Sequence, residues 1–214
     1  RAVVKALVNS VDSEFKIRVL TRRASSKRAK ELEEYSEKIS IFEADTNDID
    51  SLKKAFKDAD GVFCNTDYWT AGSRIKEISL SLNVAKACLT QSVPHLVYSS
   101  LENVIKITKS KLTLPYFDSK AEASEYIKSL LPNRTSLVSA PYFENFLGYA
   151  LPTKRKKLDG SIEFVFNDPM GDKPYTMVAL DDIGKFACYC FSNPDITMGK
   201  DLFLSLIHIS EPTR

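Results

Sequence analysis

HLVYSSLEN (residues 95–103), followed after a loop by PYFDSKAEASEY (residues 115–126), is the stretch from which the fold can be read. Leu96, Val97 and Tyr98 form an apolar strand, Ser99 and Ser100 its polar end, and the second segment a helix carrying Tyr116 and Lys120. Strands of an open α/β sheet meet their ligands at their carboxyl ends. Side chains at i and i+4 share a helix face, so Tyr116 and Lys120 can point into one cleft. An ammonium beside a phenol favours the phenolate, which suits proton transfer to a carbonyl. Taken alone, the Tyr-x-x-x-Lys spacing reads more readily as a surface helix with a packed Tyr and a solvated Lys.

Working outward, strands and helices alternate. Upstream, RAVVKALVNSV (1–11) reads as a helix, 15–21 as a strand, 24–35 as a charged helix capped by Ser25 or Ser26, and 39–43 as a strand. A helix over 48–59 begins at Asp48, a strand covers 62–66, and a long helix covers 73–92 with Ile75, Ile78, Leu82, Ala85, Cys88 and Leu89 at helical spacing. Downstream, 135–139, 162–166, 176–179 and 201–204 are strand candidates, with a helix over 181–191. Alternation of this kind means parallel strands joined by right-handed crossovers, a doubly wound α/β sheet.

The composition is that of a globular chain: of 214 residues, 43% are hydrophobic and 27% charged. A net charge of +2 makes no electrostatic case for nucleic acid or a membrane surface, and no apolar run approaches the roughly 20 residues of a span. Cys64, Cys88, Cys188 and Cys190 lack metal-ligand spacing and read as buried, reduced thiols, which places the protein in the cytoplasm, with the nucleus as the other compartment. His95 reads as structural and no metal site is expected. Lys154–Lys157 (KRKK) reads as a solvated loop and Trp69 as packed beside Tyr68. The terminal LIHISEPTR (206–214) continues no pattern in the chain, resembles a translated sequencing adapter, and is read as a non-native tail.

The expected strand ends are Thr21-Arg22-Arg23, Ala44-Asp45-Thr46, Asn65-Thr66-Asp67, Ser99-Ser100 and Ala140-Pro141-Tyr142. Together they form the sheet edge where a dinucleotide binds. NAD sites place an acid after the strand that follows the first helix, and NADP sites a cation for the 2′-phosphate. Here Arg22 and Arg23 stand at that point, which favours NADP(H); the bland alternative is a solvated basic turn. The glycine-rich turn that grips a pyrophosphate, and the strand before it, would precede residue 1. Without that strand two inner sheet edges lack partners, so residues 1–205 alone are expected to be neither stable nor cofactor-competent.

IRVLTRR, EADTND, DGVFCNTDYW, HLVYSSLEN, PYFDSKAEASEYI and PYFENFL, in this order and spacing, resemble the NmrA-like family of atypical short-chain dehydrogenase/reductases over roughly residues 1–205. The resemblance implies a Rossmann-type NADP(H)-binding domain over 1–150 and part of a smaller C-terminal α/β domain over 151–205. It also implies a redox sensor or regulator more often than an enzyme, with a regulatory protein partner or self-association open to it. By position, Arg22 would face the 2′-phosphate, Asp45 and Thr46 the adenine, and Thr66, Asp67 and Tyr68 the nucleotide. Lys120 would bond the nicotinamide ribose, and Tyr142, Phe143, Glu144 and Asn145 would close over the nicotinamide end. Two positions depart from the family. Tyr116 stands where relatives commonly have His, which restores the reductase pattern with Tyr116 as acid, Lys120 as its tuner and Ser99 or Ser100 holding the substrate oxygen. Ser79 stands where relatives often have Lys, and Lys76 is the nearest substitute.

Overall fold

The structure, a computed structural model, describes residues 1–11, 14–148, 152–165 and 176–205; the 206–214 segment lies outside them. The chain opens with α1 (Ala2–Val8), β1 (Ile17–Thr21), α2 (Lys27–Glu33), β2 (Ile39–Glu43), α3 (Ile49–Phe56) and β3 (Gly61–Cys64). Next come a short α4 (Tyr68–Ala71), the long α5 (Arg74–Thr90), β4 (His95–Ser100), a short α6 (Val104–Ile107), α7 (Pro115–Leu130) and β5 (Thr135–Ser139). A 3₁₀ turn at Phe143–Leu147 leads to β6 (Thr153–Lys156), β7 (Ile162–Val165), α8 (Leu180–Ser192), α9 (Pro194–Thr197) and β8 (Asp201–Leu204). Helix starts follow side-chain chemistry: Ser26, Asp48 and Ser73 each accept a hydrogen bond from the first turn they precede.

All pairings in the α/β body are parallel. β1 pairs with β2 (Ile17↔Ile39), and β3, β4, β5 and β8 run side by side (Gly61↔His95, Val97↔Thr135, Ser136↔Asp201). The strands form two sheets where one was expected: β1–β2 is separate from β3–β4–β5–β8. The break falls between β1 and β3. Parallelism nonetheless brings the carboxyl ends of β3, β4 and β5 to one edge.

β4 is the centre of the larger sheet, and all six of its residues are buried, as a parallel strand covered on both faces requires. Leu96 and Tyr98 pack on the face covered by α5 and α7, with Val84, Ala85, Cys88, Ala123 and Ile127. Val97 packs on the other face with Ile183, Ala187 and Cys190 of α8. Period-two alternation then sends Ser100 toward α7 and Ser99 toward α8.

Four local expectations are corrected. The buried face of α5 is Glu77, Leu80, Ser81, Val84, Ala85, Ala87 and Cys88, so Ile75 (81% exposed) and Leu89 (53%) point outward. The helix is rotated because α7 and α3, packed on either side, cover that stripe. Lys154–Lys156 is strand, not loop: β6 pairs antiparallel with β7, although its residues are exposed as a solvated segment should be. Within 176–179 only a single bridge forms, Val178 to Tyr142. Cys188 is half-buried, while Cys64, Cys88 and Cys190 are buried and all four thiols are free. Burial pushes the Cys64 thiol up to about 12, so it stays protonated.

Candidate dinucleotide site at the strand ends

β3 ends at Cys64, and Asn65 to Trp69 turn beneath the amino end of α7. The Asp67 carboxylate caps α4, accepting from the Trp69 amide (3.1 Å) and the Thr70 hydroxyl (2.5 Å). Tyr68 and Trp69 stand edge to face, and the Tyr116 ring lies 6.2 Å from Tyr68 and 5.7 Å from Trp69. Trp69 itself is 77% exposed, so it is not packed away as its sequence context implied. The half-buried Tyr116 thus faces the β3–α5 connection from one turn of α7, and Lys120 faces it from the next.

The Lys120 head does not meet Tyr116. It donates to the Thr66 carbonyl (2.5 Å), the Thr66 hydroxyl (3.2 Å) and Asn65 Oδ1 (3.3 Å), and pairs with Glu77 Oε1 at 3.0 Å. Glu77 is wholly buried, accepting also from Thr66 Oγ1 (2.9 Å) and, through Oε2, from Ser119. Ser81 donates to the Glu77 carbonyl at 3.0 Å and lies 3.0 Å from the Tyr98 hydroxyl, whose pKa burial raises. Among the described residues no hydrogen bond or ion pair links Tyr116 to Lys120, Ser99 or Ser100. Glu77 escapes a reading by hydrophobic spacing; its one signal is that it stands in register with Ser81, Val84 and Cys88 on the inward stripe.

Further polar contacts fix the frame. Arg74 of α5 grips Glu122 of α7 through Nε (3.0 Å) and Nη2 (2.5 Å). The buried Asp118 carboxylate accepts from the Ile105 amide (3.1 Å) and the Leu114 amide (2.9 Å), holding α6 and the entry to α7.

At the end of β2, Asp45 accepts from the Asn47 backbone (2.8 Å) and side chain (3.1 Å). Those bonds, with Arg22 and Lys76 nearby, hold its carboxyl below the usual range. The Thr46 carbonyl accepts from Asn83 of α5 (2.9 Å), tying the β2 end to the same helix that carries Glu77. Arg22 and Arg23 are exposed beyond β1, and among the described residues neither guanidinium has a hydrogen-bond or ion-pair partner. Across the sheet, Tyr142 bridges to Val178, and Phe143 is 44% exposed. Both Glu144 oxygens accept from the Leu180 amide (3.1 Å), stabilising the start of α8; Asn145 follows in the 3₁₀ turn. Helix α5 thus ties Thr46, through Asn83, to Thr66 and Lys120, through Glu77, while Arg22 lies near Asp45 and Tyr116 beside Tyr68. Tyr142 to Asn145 follow the end of β5, and Ser99 faces away from α7. No group of three or more His, Cys, Asp or Glu side chains spaced for a metal occurs among the described residues, and no helix there is long and apolar enough to cross a membrane.

The solved structures similar to this chain share its architecture. NmrA, a negative transcriptional regulator, in complex with NADP matches with a TM-score of 0.73 at 20% identity, covering 95% of this chain and 62% of that one. A Citrobacter sp. triphenylmethane reductase complexed with NADP(H) matches at 0.68 and 16% identity, covering 95% and 65%. Among curated relatives, an NmrA-like family domain-containing protein of Dictyostelium discoideum is 28% identical over 201 residues, 90% of this chain and 64% of that protein. An NmrA-like family domain-containing oxidoreductase of Aspergillus japonicus is 31% identical over 137 residues, 62% of this chain and 41% of that protein. The chain thus spans between two fifths and two thirds of the length of these relatives. The family model described as NmrA-like matches residues 1–211, nearly the whole sequence, and on that ground the chain belongs to the NmrA-like family.

Proposed function

We propose that this chain is the nucleotide-binding part of an NADP(H)-binding regulatory protein whose conformation or partner affinity reports the redox state of the cofactor. The observation that carries the reading is Arg22: an exposed, unengaged guanidinium just past β1, near Asp45 at the end of β2. A cation there suits a ribose 2′-phosphate, where an acid would suit a 2′-hydroxyl. The NAD- and NADP-bound NmrA structures and the NADP(H)-bound reductase support the cofactor class. Residues 1–150 would form the cofactor domain, 151–205 part of a smaller domain, and the protein would work in the cytoplasm or nucleus. Titration of the full-length protein with NADPH, NADP and NAD tests this. NADPH is expected to bind tightest, and Arg22→Glu to weaken it by about tenfold or more while sparing NAD. Equal affinity for NAD, or an unchanged preference in the variant, overturns the reading.

A second reading is an NADPH-dependent reductase of a carbonyl or quinone with Tyr116 as acid and Lys120 as its tuner. The oxidoreductase names of the fungal relatives favour it, as does the pairing of exposed Trp69 with half-buried Tyr116, a platform for a planar substrate. Lys120 is engaged elsewhere, which weighs toward the sensor. NADPH oxidation against quinones and aldehydes, abolished by Tyr116→Phe, is the outcome this reading requires.

A further inference from the structure

Two helices, α5 and α7, and the turn after β3 meet at one buried pair of opposite charges. Glu77 is 0% exposed and Lys120 9%, and their charged atoms lie 3.0 Å apart. A carboxylate with no access to water survives only with its charge matched and its lone pairs used. Here Oε1 takes the Lys120 ammonium and the Thr66 hydroxyl, and Oε2 takes Ser119. An ammonium has three hydrogens to give. The acceptors around Lys120 are the Thr66 carbonyl, the Thr66 hydroxyl, Asn65 Oδ1 and Glu77 Oε1, so all three are spoken for. To donate to a ribose or a phenolate, Lys120 would have to release one of these acceptors, and the exposed Asn65 at 3.3 Å is the one held least closely.

We infer that Glu77 and Lys120 form a latch that shapes the Asn65–Trp69 turn for the nucleotide, Glu77 acting as a positioning residue that holds the Lys120 ammonium against Thr66. The inference rests on the proposed cofactor reading and deepens it. It makes the exposed side of the Asn65–Trp69 turn, held from beneath at Thr66 by Lys120, the part that the ligand meets. It also accounts for an acid on the inward stripe of α5, a position that burial alone would give to Leu or Ala.

The test compares Glu77→Gln, Lys120→Met, the double variant and Glu77→Asp in the full-length protein, reading thermal midpoint and NADPH affinity for each. Each neutralising single change strands one buried charge and is expected to lower the midpoint sharply, and the double change to regain most of that loss. Affinity is expected to fall by about tenfold in the singles and to stay low in the double, because the turn has lost its anchor. Recovery of affinity together with stability would make the pair merely structural and overturn the inference. An unchanged affinity in Glu77→Gln beside a lost one in Lys120→Met would overturn it too, by showing that Lys120 serves the cofactor without Glu77. Glu77→Asp keeps the charge and shortens the reach, so it guards against variants that fail to fold. It is expected to speed amide exchange at residues 66–70 with little change in midpoint. That readout needs no ligand: if the unmodified protein binds no nicotinamide dinucleotide, the cofactor reading fails while exchange still judges the latch. Unchanged exchange in Glu77→Asp would sink the latch alone.

Discussion

Arg134 is the largest fully buried side chain of the described residues, 1% exposed, and its guanidinium is paired with Asp201 at 2.6 Å while Nη1 donates to the Lys200 carbonyl at 3.2 Å. The two partners are unequal, since the Asp201 side chain keeps 34% of its surface. Removing the acid strands a cation with no route to water; removing the base leaves an acid that water can reach. Asp201→Asn is therefore expected to cost about 3 kcal/mol or more in urea unfolding, and Arg134→Met clearly less. A larger loss for Arg134→Met would show that packing, not charge, dominates there. His95 gives a pH-dependent counterpart. Thr135 Oγ1 donates to the Thr197 carbonyl (2.7 Å), so it accepts from His95 Nε2–H (2.8 Å), leaving Nδ1 buried without a partner. Burial lowers its pKa below the ordinary 6.5. Below that pH the unfolded chain takes up a proton that the folded chain refuses, so stability falls as pH drops through the window beneath 6.5 and is flat above it for this group. His95→Gln keeps a donor for Thr135 and removes the titration, so its unfolding free energy should lose part of that slope.

Among the elements, the contact of α1 with α8 is governed by Gly184. A Cβ built there would lie 2.6 Å from the Ala2 carbonyl oxygen and 2.8 Å from its carbon, backbone atoms that cannot swing aside. In an exposed helix Gly→Ala gains about 1 kcal/mol. Here Gly184→Ala is expected to destabilise by about 1–3 kcal/mol, because overpacking outweighs propensity. A raised melting temperature would show that α1 yields. The start of α5 is set by Ser73, whose hydroxyl accepts from the Lys76 amide at 3.2 Å. Helix existence was legible from such caps and from periodicity. Helix rotation was legible only in part: Ile78, Leu82, Ala85 and Cys88 do reach the core, but Ile75 and Leu89 point outward and Glu77 turns in between α3 and α7.

At the scale of the whole molecule, β4 and β5 sit inside a four-stranded sheet while β1–β2 stands as a two-stranded one. A two-stranded sheet has little independent stability and leans on what packs against it. For β1–β2 that is α1, through Leu7 against Ile17 and Ile39, and the Arg18 guanidinium, which donates to the Ala55 (2.5 Å) and Lys57 (3.1 Å) carbonyls at the end of α3. Amides of β1 and β2 in the polypeptide 1–205 should therefore exchange much faster than those of β4 and β5, and its thermal unfolding should lack one sharp transition. Equal protection in the two sheets, with a single cooperative melt, would show that helix packing alone unites them.

Alternating apolar runs with turn residues between them were enough to place every strand of the parallel sheets and every long helix, because local periodicity and capping are properties of neighbours in sequence. Tyr116 and Lys120 were visible as a pair on one helix face for the same reason. Where the Lys120 head goes depends on partners 43 to 55 positions away along the chain, Glu77, Thr66 and Asn65. Those distances in sequence close only when α5 and α7 pack on one face of β4. An acid with nothing local to mark it then became the buried partner of the lysine, since a desolvated ammonium must find its counter-charge within the fold.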